Sequence, residues 1–189
     1  MPFSEFNLKM FLSYLREDAR RYGYSPVRAY LLTPGFKYTF WMRLTKFLYT
    51  KNRFLHILSK LRLRSLGYRL GMDIPWCLDV GPGFYIGHFG GVVINGGVKI
   101  GANVNVSQGV TIGIHNRGER RGCPVIEDCV YIGPGAKIFG NVLVRRGAAI
   151  GANAVVTKDI PTNGVAVGVP AKVVSFNGSK GYVNINDIK

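Results

Sequence analysis

From Ile126 to Pro161 an aliphatic residue recurs at every sixth place: Ile126, Ile132, Ile138, Val144, Ile150 and Val156. The fifth place of each group is also small or aliphatic, held by Val130, Ala136, Val142, Ala148, Ala154 and Ile160. A period of six is neither that of an α-helix nor that of a simple alternating strand. It is the mark of a parallel β-helix, in which each unit is a short strand plus a turn. A single unit cannot bury its inward residue, so coils must stack above and below it.

The period reaches upstream and breaks twice. Val80-Gly81 and Ile86-Gly87 keep the step, then two extra residues precede Ile94, and Ile94, Ile100, Val106 and Ile112 resume it. A second break, Gly113 to Val125, is polar, basic and too long for a hexad turn, which predicts an extruded loop over 113–125. Chain that leaves a regular stack is free to present side chains, so function is expected at the breaks.

Before Gly71 the pattern is helical. Residues 4–22 read as an amphipathic helix with Ser4 as its cap, Gly23 and Ser25-Pro26 break it, and a short helical piece fits 26–32. A long aromatic and basic helical pattern follows from Phe36 to about Gly67, interrupted at Lys51-Asn52-Arg53. Three parts are therefore expected: a helical region over 1–70, a β-helix over 71–174, and a polar, poorly ordered tail over 175–189.

Charge separates these parts. Residues 1–70 carry 14 Lys and Arg against 3 acids, while 71–189 carry 11 against 7. The excess at the start of the chain suits an anionic partner, such as a membrane surface, a nucleic acid or a phosphorylated substrate, and equally suits a solvated helix face. Three cysteines without a CxxC pair argue against a disulfide framework or a zinc ribbon, and point to a reducing, cytoplasmic setting. No signal-peptide pattern and no apolar run of membrane-spanning length is expected.

Three histidines are available. His56 lies among helical aromatics, and His115 lies in the extruded loop, where it could touch substrate. His88 stands at the first break, in Ile86-Gly87-His88-Phe89-Gly90-Gly91, where small neighbours leave room for a ligand. A histidine is the usual general base near neutral pH, and a carboxylate on its far nitrogen would orient it. Asp73 and Asp79 are the nearest upstream acids, and spacing does not choose between them.

The stretch from about Gly71 to Val174 resembles the serine acetyltransferase branch of the left-handed β-helix, hexapeptide-repeat acyltransferases. The resemblance rests on Asp73-Ile74, Gly87-His88, the Val106 to Gly113 segment, the Ile132 to Ile138 segment and Gly168-Val169-Pro170-Ala171-Lys172. More weakly, Arg16-Glu17-Asp18 and Trp41-Met42-Arg43-Leu44 extend it into the first 70 residues. It implies a mainly β fold, a left-handed parallel β-helix with a helical N-terminal region, and acetyl-CoA as donor to a hydroxyl acceptor. It makes His88 the general base and Asp73 its orienting carboxylate. It implies a homotrimer, with pairing of trimers as a further level, and acetyl-CoA between subunits. Gly113, Gly133 and Ala152 would line the pantetheine, with Thr157, Lys158 and Lys172 toward the nucleotide end.

The chain departs from the pattern at the acceptor. The acid that precedes the histidine in that branch is Gly87 here, and the loop's Arg-His pair is Gly122-Cys123. With Gly87, His115 and Cys123 in the acceptor region, the chain most resembles the polysaccharide-biosynthesis O-acetyltransferases of this branch, which implies a sugar hydroxyl in capsular, exopolysaccharide or lipopolysaccharide synthesis as acceptor. Serine, in cysteine biosynthesis, is the alternative. Lipid-linked sugars would give the basic helical region a membrane-surface contact, at the inner face of the membrane; no nucleic-acid partner and no metal are expected. A β-helix carbonic anhydrase would need three zinc-binding histidines, which His56, His88 and His115 do not supply. A non-enzymatic basic module would leave His88 without a role.

Overall fold

The computed structural model describes residues 6–183. Four helices come first: α1 (Leu8–Arg20), α2 (Pro26–Leu32), α3 (Pro34–Leu48) and α4 (Arg53–Leu70). Their ends follow from local chemistry. Asn7 caps α1 by accepting from the Met10 N–H, Ser25 caps α2 ahead of Pro26, and Asn52 caps α4 by accepting from Leu55. Gly71, in the left-handed conformation, ends α4. Ser4, the cap expected for the first helix, lies outside the described residues. No described helix is long and apolar enough to cross a membrane.

Among the described residues fifteen short strands follow and wind a left-handed, three-faced prism. The first face holds Met72–Asp73, Val92–Ile94, Thr111–Gly113, Lys137–Phe139 and Val155–Val156, all parallel. The second holds Asp79–Val80, Lys99–Ile100, Val125–Ile126 and Leu143–Val144. The third holds Tyr85–Ile86, Asn105–Val106, Tyr131–Ile132, Ala149–Ile150 and Val165–Val167, closed by antiparallel Lys172–Ser175. Paired residues are 18 apart where hexads are unbroken, as in Ile132 and Ile150. They are 20 apart across the first break, as in Ile86 and Val106, and 26 apart across the extruded loop, as in Val106 and Ile132. Both insertions thus leave the stack in register. The aliphatic sixth places form one continuous core down the prism.

Tight corners stack as well. At one of them Gly135 has φ +72°, and a Cβ there would lie 2.0 Å from the Oδ1 of Asn153 in the next coil. Gly135→Ala is expected to cost about 1–2 kcal/mol for the left-handed backbone alone, plus the displacement of Asn153. A thermal melt showing no loss of stability would contradict this stacking argument.

The first coil leaves an open edge whose backbone groups need partners. Side chains of the helical region supply them on all three faces. On the first face the Tyr38 hydroxyl donates to the Ile74 carbonyl (2.9 Å) and accepts from the Ile74 N–H (3.2 Å). On the third, the Tyr22 hydroxyl makes the same pair of bonds with Ile86, both 3.1 Å. On the second, Arg43 donates to the carbonyls of Gly81 (2.7 Å) and Val80 (3.4 Å). Asp18 grips Arg43 through two oxygens and accepts from the Phe84 N–H (3.0 Å). Burial pushes the Tyr38 phenol up to about 12 and the Tyr22 phenol higher still, so both remain neutral donors and acceptors. Gly35 lets α3 approach the third face: a Cβ on it would stand 2.2 Å from the Ile86 carbonyl oxygen.

The helices between residues 6 and 70 therefore satisfy the open edge of the first coil with their own side chains. Of the tail expected over 175–189, the residues up to Val183 make specific contacts with the prism, and the rest lies outside the described residues. The Ser179 hydroxyl donates to the Cys129 carbonyl (2.6 Å), and Tyr182 stacks on Tyr131 with ring centres 4.3 Å apart. Asn105 donates to the Tyr182 carbonyl at 2.7 Å. Low hydrophobicity hid these specific side-chain contacts.

Candidate active site

His88 sits at the corner that leads from the third face to the first, just past Tyr85–Ile86. The two extra residues of the first break make this corner wider than the corners stacked on it. Gly90 and Gly91 take positive φ there, and His88 is left exposed. It opens into a cavity of about 400 Å³ between the third face, the turn after α1 and the start of α3. Gly87 lies in the same cavity. A Cβ on Gly87 would come within 3.1 Å of the Tyr85 ring, so a side chain here would require that ring to give way by a few tenths of an ångström.

Arg21, absent from the sequence-based candidates, lines this cavity too. It is 8% exposed. Its Nη2 donates to Asn105 Oδ1 (2.5 Å), and its guanidinium carbon lies 5.9 Å from the centre of the Tyr85 ring. Its Nε and Nη1 are buried with no hydrogen-bond partner among the described residues. Burial lowers its pKa from the usual arginine value. As one of 14 bases in the first 70 residues, Arg21 carried no local signal; only the fold singles it out.

The two candidate acids part company. Asp73 points outward on the first face, the face that the His88 corner feeds, and it is paired in register with Val93. Its neighbour Ile74 is the residue clamped by Tyr38, and the Asp73 charge helps to hold the Tyr38 proton. Asp79 lies on the second face, in a different cavity of about 470 Å³ with Lys46, Lys99 and Glu127.

The cofactor candidates are spread over the prism. Gly133 follows Ile132 on the third face, and a Cβ on it would stand 2.8 Å from the Ile150 carbonyl oxygen, so close stacking alone already demands glycine. Ala152 lies at the corner above. Gly113 is on the first face, paired with Phe139, whose ring would collide with a Cβ at 2.7 Å. Thr157 and Lys158 follow Val156 at the far end of that face and are exposed, as is Lys172 in the closing antiparallel strand. None of these residues lines the cavity beside His88 in the same chain.

The extruded loop is a hairpin closed by paired backbone bonds between His115 and Gly122 (3.0 and 2.9 Å). Arg120 ties it to Asp159 at 2.8 Å. The Leu143 N–H and Arg120 together lower the Asp159 pKa. Cys123 lies 3.5 Å from Asn95 Oδ1. Neither His115 nor Cys123 lines the His88 cavity of the same chain. Among the described residues, no cluster of histidine, cysteine or carboxylate side chains could hold a metal ion.

No family model matches the chain. Curated relatives do. A serine acetyltransferase of Bacillus pumilus is 35% identical over 176 residues, which is 90% of this chain and 81% of that protein. One of Bacillus subtilis is 35% identical over 94% of this chain and 83% of its own length. Among solved structures, a serine acetyltransferase in complex with CoA superimposes with a TM-score of 0.75 at 30% identity, covering 88% of this chain and 71% of that one. The Neisseria gonorrhoeae serine acetyltransferase in complex with serine gives a TM-score of 0.75 at 28% identity, over 89% and 70% of the two chains. These relatives overturn the expectation of a sugar acceptor in polysaccharide synthesis. Gly87, Gly122 and Cys123 show which contacts are missing, but a missing contact does not specify another acceptor.

Proposed function

Because the chain belongs to the serine acetyltransferase family of hexapeptide-repeat acyltransferases, and is an acetyl-CoA-dependent acetyltransferase, we propose that serine is its acceptor and His88 its general base. The observation that carries this reading is the His88 corner, where the one widened turn of the third face opens a cavity beside an imidazole. The His88 imidazole takes the proton of the serine hydroxyl as the oxygen attacks the thioester carbonyl. The C–S bond of the tetrahedral intermediate then breaks, and the imidazolium returns the proton to the departing CoA sulfur. Oxygen gains the acetyl group, sulfur gains the proton, and no covalent acyl-enzyme is formed. Asp73 orients the imidazole and stabilises its charged form. Its place on the first face supports that role over Asp79.

For acetyl-CoA, Gly113, Gly133 and Ala152 serve as small residues along the pantetheine, and Thr157, Lys158 and Lys172 as partners of the phosphates. Their division between two faces supports a groove shared by neighbouring chains, hence a homotrimer. His115 and Cys123 would then reach the acceptor from the neighbouring chain. The purified full chain, given acetyl-CoA and L-serine, is expected to form O-acetylserine with saturable kinetics, followed by mass spectrometry of the product. Light scattering of the same preparation should give three times the 20.9 kDa chain mass. Binding of CoA without acetylation of serine would overturn the acceptor, and a monomer in solution would overturn the shared groove.

A further inference from the structure

A buried guanidinium with unpaired donors is costly. Desolvation disfavours the charge, and each unmet N–H adds its own penalty. Natural folds cover such groups with a carboxylate, yet the two acids nearest in sequence to Arg21 are engaged elsewhere. Asp18 is paired with Arg43, and Glu17 with Arg20 at 2.9 Å on the surface. The structure nevertheless holds Arg21 in place with some care. Tyr182 accepts from the Asn105 amide nitrogen, which turns the Asn105 oxygen toward Arg21, and Tyr85 lies under the guanidinium. A cation kept buried, oriented and short of acceptors beside a general base and an open cavity is arranged for an anion that arrives from outside.

We propose that Arg21 binds the carboxylate of the acceptor in the His88 cavity, so that the acceptor hydroxyl is presented to the imidazole. This rests on the reading of the chain as a serine acetyltransferase, and assigns the recognition of serine's acid group to the helical region rather than to the extruded loop. Gly87 fits the same scheme. A side chain there would press on the Tyr85 ring, which lies beneath the Arg21 guanidinium.

The test uses the full chain and its Arg21→Met variant, with L-serine and L-serinamide as acceptors; the amide keeps the hydroxyl and loses the carboxylate. Arg21→Met is expected to raise the KM for serine by about 10- to 100-fold. It should leave the KM for acetyl-CoA and the turnover of serinamide unchanged. Removing an unpaired buried cation should also raise the melting temperature, by about 2–4 °C. Arg21→Lys keeps the charge with fewer donors and should raise the serine KM less than Arg21→Met does; the reverse order overturns the proposal. An unchanged serine KM overturns it, as does an equal loss with both acceptors together with a lower melting temperature, which would mark a structural cation. If the wild-type chain acetylates no serine, the acceptor reading falls, and Arg21 is judged by calorimetric titration with glycerate, a hydroxy acid. Binding at least tenfold weaker in Arg21→Met then sustains a carboxylate site, and equal or absent binding removes it.

Discussion

His88→Ala is expected to lower kcat with serine by about 10²- to 10⁴-fold, the range that removal of a positioned general base produces. The effect should be confined to chemistry. His88 is exposed at a widened corner whose backbone is already shaped by Gly90 and Gly91, so the substitution removes no core contact. Stability should stay within about 0.5 kcal/mol, and CoA binding by calorimetry should be unaltered. Asp73→Asn keeps the shape of the side chain but removes its charge, and should give a smaller fall in kcat without a change in melting temperature. A His88→Ala enzyme within threefold of wild type would remove the imidazole from the mechanism. Proton transfer would then have to be sought elsewhere in the cavity, where Tyr22, Tyr24 and Tyr85 are the other titratable groups besides Arg21.

The legible part of this fold is the part in which neighbours in space are related by a fixed step in sequence. Ile126 to Val156 could be read as a stack because each inward residue lies six places from the next and 18 from the one above it. His88 was legible for the complementary reason: it falls where that step fails. The cap was not. Tyr38 meets Ile74 across 36 residues, Tyr22 meets Ile86 across 64, and Arg21 meets Asn105 across 84, with no period connecting them. A tyrosine that satisfies a strand edge looks, in sequence, like any tyrosine on a helix face. The acceptor was misread for a related reason: Gly87 and Cys123 mark lost side chains, while the cation beside His88 is contributed by a residue far away in sequence. Charge counting left the bases of residues 1–70 between an outside partner and a solvated helix face, yet Arg43 and Arg21 are buried among the chain's own strands.

Asp18→Ala is expected to be the most destabilising single change in the helical region, by about 3–5 kcal/mol, the usual cost of breaking a buried pair from one side. Both partners are shut away from solvent, with side chains 0% and 2% exposed. Without Asp18 the Arg43 charge remains buried with the Val80 and Gly81 carbonyls and the face of the Tyr14 ring but no carboxylate to stabilise it, and the Phe84 N–H loses its acceptor. The loss is large against the roughly 5–15 kcal/mol that holds a domain of this size together. Urea denaturation followed by circular dichroism should show it as a lower midpoint. The double variant Asp18→Leu, Arg43→Met removes both charges and should recover much of the stability, since apolar replacement of a whole buried pair is often neutral or favourable. It cannot recover the bonds to Phe84 and Gly81, so the edge of the first coil should stay looser than in wild type. That edge carries Asp73 on one face and leads to His88 at the next corner. The double variant is therefore expected to be stable yet impaired in kcat, whereas full recovery of both would show that the cap serves the fold alone.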